Sequence, residues 1–152
     1  MTHDTYLSGA FKTALLVNFV WINLSEIARY FLVVRPMLHE AWAGQAGVAP
    51  MSLGIFALWG IWDLVLIAAA TGFYWMWCER FGDSARQIIL ASIAFTVTIF
   101  GLIWFGIANM GLAPYTMIAA ALPLAWIEQA VACKILVWAR TRAQPSSSIR
   151  SI

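Results

Sequence analysis

The sequence predicts an all-α integral membrane protein, a single domain of four transmembrane helices in an antiparallel bundle with both termini cytoplasmic. Three observations lead there. First, 62% of the 152 residues are hydrophobic and 11% are charged, with a mean hydropathy of +0.81, well outside the soluble class. Second, apolar stretches at about 8–34, 51–78, 87–110 and 117–139 are each long enough for a helix to cross the hydrocarbon core. The alternation expected of barrel strands is absent from them. Third, Lys12, Arg80, Arg86, Arg140, Arg142 and Arg150 fall on one side of those stretches and only Arg35 on the other. Positive-inside counting therefore places the termini and the 79–86 loop in the cytoplasm. In a bacterium this is a multi-pass protein of the inner (plasma) membrane.

The first stretch carries Asn23, Glu26 and Arg29 and has no small-residue cleavage pattern before Arg35-Pro36, so it reads as a retained helix and not a cleaved signal. Pro36 is expected to end it. A short interfacial helix over 37–42 follows, and Gly44, Gly47 and Pro50 then break the chain. The second stretch ends in Phe73, Tyr74, Trp75, Met76 and Trp77, an aromatic belt suited to an interface. Asp83 or Ser84 is the expected N-cap of the third helix. In that helix Gly101 and Gly106 permit close approach of a neighbour. Ala113-Pro114-Tyr115 turns the chain into the fourth helix, in which Pro123 is placed to introduce a bend. The transmembrane domain is taken as 1–140, and 141–152 as a basic, Ser-rich, disordered cytoplasmic tail. Cys78 and Cys133 form no CxxC pair and read as small core residues.

Function is sought in the polar residues, because an idle charge inside a membrane is costly. Glu26, Asp63 and Glu128 all lie within apolar stretches. On the first helix Lys12, Phe19, Asn23, Glu26, Arg29 and Tyr30 fall within about 60° of Glu26 at roughly 100° per residue. Glu26 and Arg29, three apart, are spaced to pair. Asp63 shares a stripe with Phe56, Trp59 and Tyr74, and no basic residue lies within a turn of it. Glu128 is flanked on its own face by Ala121, Ala125 and Ala132, small enough for a neighbouring helix to approach. At about 1.5 Å per residue from the outer helix ends, Arg29 lies about 8 Å deep, Glu26 about 12 Å, and Asp63 and Glu128 about 17 Å.

These depths suggest an outward-facing pocket. Its candidate ligand-binding residues are Asn23, Glu26, Arg29, Trp59, Trp62, Asp63, Trp104, Asn109, Glu128 and Gln129. With every group ionised, three carboxylates against one arginine leave two negative charges, so a proton or a cation is expected among them. Indole faces suit an organic cation.

Other chemistries find no support. His3 and His39 are isolated and no metal-ligand spacing occurs, so no metal and no cofactor is expected. A net charge of +2 without a basic stripe argues against nucleic acid. The expected partners are the lipid bilayer, a small cationic or lipophilic ligand, and further subunits in a homo-oligomer or larger membrane complex. The leading expectation is a protein that binds, and in an oligomer transports, a small cationic or proton-linked solute. The alternatives are an accessory structural subunit of a membrane complex, and an enzyme acting on a lipophilic substrate by acid–base proton transfer with Asp63 or Glu128 as the acid or base. Catalytic residues are not assigned.

Overall fold

The first helix runs past its proline. In a computed structural model, which describes residues 3–43 and 52–143, α1 (His3–Arg29) continues through a π-helical turn at Tyr30–Val34 into α2 (Arg35–Ala41). Pro36 therefore does not end the helix as expected. It lies just past that turn inside the continuous helix, and Arg35 before it keeps helical angles of φ −60° and ψ −48°. The wider π turn just upstream relaxes the carbonyl ladder that the proline ring would otherwise meet. The segment expected as a separate interfacial helix is thus the end of one long rod. Gly44, Gly47 and Pro50 lie outside the described residues.

Serine hydroxyls start the next two helices. Ser52 accepts from the Ile55 N–H at 3.4 Å to cap α3 (Leu53–Phe81), and Ser84 accepts from the Gln87 N–H at 3.4 Å to cap α4 (Ala85–Phe95). Gly82, at φ 86°, closes α3 in a conformation that glycine adopts without a Cβ penalty. A second π-helical turn, Thr96–Gly101, joins α4 to α5 (Leu102–Asn109), and α6 (Tyr115–Ala143) completes the chain. Pro123 lies within α6 without ending it, and the helix extends through Ala143. Residues 144–152 lie outside the described residues.

Four helical stretches, Gly9–Ala41, Leu53–Phe81, Ala85–Asn109 and Tyr115–Ala143, are long and apolar enough to cross a membrane, and no strand occurs among the described residues. α6 is the hub, packing against α1, α3, α4 and α5. Its fully buried Ala121, Ala125 and Ala132 let the neighbouring backbones come close. The main core joins Ala14 and Ile22 of α1, Ile67, Ala70 and Tyr74 of α3, Ala91 and Phe95 of α4, and Leu136 of α6. Cys78 and Cys133 are buried there as free thiols. A smaller cluster of Val34, Ala113, Met117 and Ala121 closes the other end without α3.

Candidate binding groove

Glu26 sits at a seam. At about 100° per residue, Arg29 and Asn23 lie about 60° to either side of it, and the two sides face different surroundings. On Arg29's side the residues are buried against α6. On Asn23's side a groove runs between α1 and α3.

The buried side is an ion-pair layer. Arg29 pairs with Glu26 one turn back. Its Nη1 also lies 3.5 Å from Glu128 Oε2, and its guanidinium stacks over the Phe100 ring at 5.1 Å. Glu128 is 1% exposed. Its Oε1 accepts from Gln129 Nε2 at 2.9 Å, and Gln129 Oε1 accepts from the Tyr74 hydroxyl at 2.9 Å. Arg29 Nη1 and Glu128 Oε2 are themselves buried without a hydrogen bond, so across 3.5 Å they attract as charges and share no proton. Trp21 Nε1 donates to the Glu128 carbonyl at 2.9 Å, and Asn18 Nδ2 reaches both Thr71 Oγ1 and the Ala132 carbonyl at 3.3 Å. These bonds hold α1, α3 and α6 in register. The two π turns belong to the helices that contribute Arg29 and Phe100 to this layer.

The groove is a cavity of about 70 Å³, room for several waters, lined by Asn23, Glu26 and Tyr30 of the first helix and by Phe56, Trp59, Gly60 and Asp63 of α3, with Ile27 and Phe31 alongside. The Tyr30 and Trp59 rings meet edge to face at 4.9 Å. Asn23 Nδ2 is turned back onto the Phe19 carbonyl at 2.8 Å, leaving its amide oxygen free to accept. Asp63 forms no ion pair among the described residues.

The ten candidate residues therefore separate into three groups. Asn23, Glu26, Trp59 and Asp63 line the groove. Arg29, Glu128 and Gln129 lie behind it in the buried layer, with Glu26 as the link. Trp62 is exposed and does not line the groove, Trp104 is packed between the two core clusters, and Asn109 lies exposed at the end of α5. Sequence reasoning passed over Asn18, Trp21 and Phe100 as parts of this layer. Asn18 carried a usable signal, since Ala10, Ala14, Asn18 and Ile22 repeat every four residues and are the buried face.

No group of three or more His, Cys, Asp or Glu that could hold a metal ion occurs among the described residues. The arrangement can hold positive charge at Asp63 and Glu26 against aromatic faces, and can pass electrostatic influence through Arg29 to Glu128. Comparison with protein-family models, curated proteins and solved structures finds no match to this chain.

Proposed function

We propose that the protein binds a small cation or proton-linked solute in the groove between α1 and α3, and as a homo-oligomer carries it across the inner membrane, with both termini cytoplasmic. The observation that carries this reading is Asp63. It is a carboxylate within an apolar helix, turned into a cavity with Trp59 and Tyr30 beside it, and without a cationic partner among the described residues. A charge so placed is costly to keep unless something binds it. Glu26 supplies a second carboxylate already paired to Arg29, so a ligand's charge is felt as far as Glu128. Aromatic faces beside the acids complement an organic cation.

Four helices alone rarely form a translocation path, so the transport reading calls for association of copies, most simply a symmetric dimer. Titrating the protein in lipid nanodiscs with monovalent organic cations, read by tryptophan emission, tests the binding step. A saturable change is expected in the wild type, and at least tenfold weaker binding in Asp63→Asn. Equal titrations of the two proteins would end the proposal.

One observation favours the second reading, a structural subunit. The outer half of α3 presents Leu58, Ile61, Trp62 and Val65 outward, each at least 60% exposed, a surface that another subunit's helix would cover as well as lipid does. Recovery from detergent with a stoichiometric partner, together with loss of that partner on Trp62→Ala, supports that reading over the first.

A further inference from the structure

The rim of the groove is apolar and exposed. The groove's carboxylates are recessed, whereas Ile27, Phe31, Phe56 and Trp59 are each at least 41% exposed at its rim. All four are apolar or aromatic, and they stand on the outer flanks of two adjacent apolar helices. A hydrated ion arriving there would have to cross hydrocarbon. An apolar molecule already dissolved in the bilayer would not.

We propose that the occupant is an amphiphilic monoamine, a protonated amine on an apolar chain and without a phosphate, which enters between α1 and α3 from the surrounding lipid. The inference rests on the cation-binding reading above and narrows it to one class of ligand. Charge sets the valence. Glu26 and Glu128 both face Arg29, so Asp63 is the lining carboxylate with no ion pair among the described residues, and one ammonium would pair with it. Depth excludes the phospholipids themselves. Asp63 lies ten residues along α3 from Leu53, about 15 Å of helix. An ethanolamine or choline headgroup reaching it would drag its phosphate into hydrocarbon, whereas a plain amine carries no such burden. The rim accounts for the rest of the molecule, since an alkyl chain leaving the Asp63 carboxylate passes over Phe31 and Phe56 into lipid. Room is set by Gly60 in the groove wall, where a Cβ would meet nothing within 4 Å.

The experiment compares wild type, Asp63→Asn and Gly60→Leu in phosphatidylglycerol nanodiscs, titrated with dodecylamine, methylammonium and dodecanol. Tryptophan emission and unfolding temperature are both read. Wild type should saturate with dodecylamine at a concentration at least tenfold below that for methylammonium, and should show no saturable response to dodecanol. Asp63→Asn should lose at least tenfold in dodecylamine affinity. Gly60→Leu, which fills free space, should keep its unfolding temperature and lose dodecylamine binding as well.

If methylammonium matches dodecylamine and both depend on Asp63, the amphiphile proposal is overturned while cation binding stands. A response to dodecanol equal to that for dodecylamine overturns it too, because the ammonium would then contribute nothing. Competition by phosphatidylethanolamine added to the discs would make a lipid headgroup the occupant and overturn it equally. If neither amine distinguishes wild type from Asp63→Asn, the cation-binding reading falls, and the narrower one with it.

Discussion

In the orientation proposed above, the outer half of α3 (Leu53–Val65) and its inner half (Leu66–Cys78) are both apolar, yet their surroundings are opposite. From Leu66 to Cys78, Leu66, Ile67, Ala70, Thr71, Tyr74 and Cys78 are buried among the other helices. From Leu53 to Val65 none is buried, and only Ile55, Gly60 and Asp63 are half-buried. Ala70 and Thr71 bring the inner half close to its neighbours, and Tyr74 then meets Phe95 at 5.5 Å between ring centroids. The outer half meets the first helix where Trp59 lies edge to face on Tyr30, while Leu58 and Trp62 face outward. In the inner half the buried polar side chains find partners, as Tyr74, Gln129 and Thr71 do. In the outer half Asp63 has no ion pair among the described residues. The inner half behaves as scaffold, and the groove lies where the scaffold ends.

The strongest test of this division lies at the ion-pair layer between the halves. Replacing Arg29 with Met leaves Glu26 and Glu128 facing each other with no cation between them, and should cost about 3–5 kcal/mol, the usual result of removing one member of a buried pair. Unfolding in mixed micelles followed by circular dichroism measures it. Adding Glu128→Gln to that variant should recover more than about 1 kcal/mol, because the stranded charge is then gone. A loss below about 1 kcal/mol for Arg29→Met would mean that the layer does not join the helices.

A matched pair of substitutions compares the halves directly. Ala70→Leu forces a larger side chain into a fully buried site and should cost about 1–3 kcal/mol. Ala57→Leu, on the exposed outer half, should fall within about 0.5 kcal/mol of wild type. Similar costs at both positions would show the outer half to be as tightly packed as the inner, and the contrast would be lost.

These positions also mark how far the sequence could be read. Hydropathy sets span lengths, so four long apolar helices were legible, as was the Glu26–Arg29 pair, which needs only one turn of helix. Partner choice is non-local and was not. The alanines around Glu128 signalled a packed face, but nothing along α6 says that the face meets Arg29 and Trp21 and is sealed. The first-helix stripe centred on Glu26 merged two faces, because a window of 60° either side spans both the buried contact with α6 and the groove toward α3. Trp62 and Trp59 are equally aromatic and three residues apart, and only packing decides that Trp59 meets Tyr30 while Trp62 faces out. At Pro36 the local rule against proline in a helix was overridden by a π turn.

Within the scaffold, Tyr74→Phe removes one hydroxyl and leaves the buried Gln129 Oε1 without its donor. The expected loss is about 1–2 kcal/mol, measured by the same unfolding assay. Gln129→Leu in the Tyr74→Phe background should then cost less than it does alone, because the two groups share one bond. Additive losses would remove Tyr74 from the network.

The smallest expected effect on stability falls on the residue most important to the proposed function. Asp63 contributes no ion pair to the fold among the described residues, and its neighbours in the groove are in place without it. Tyr30 and Trp59 hold each other edge to face, and Glu26 is held by Arg29. Asp63→Asn keeps the side-chain shape and removes a charge, so unfolding should stay within about 0.5 kcal/mol of wild type, or shift toward greater stability, while cation binding is lost. A scaffold residue behaves in the opposite way, losing stability along with anything that depends on it. If Asp63→Asn unfolds as readily as Arg29→Met, Asp63 holds the helices together, and the groove is a seam of the fold and not a binding site.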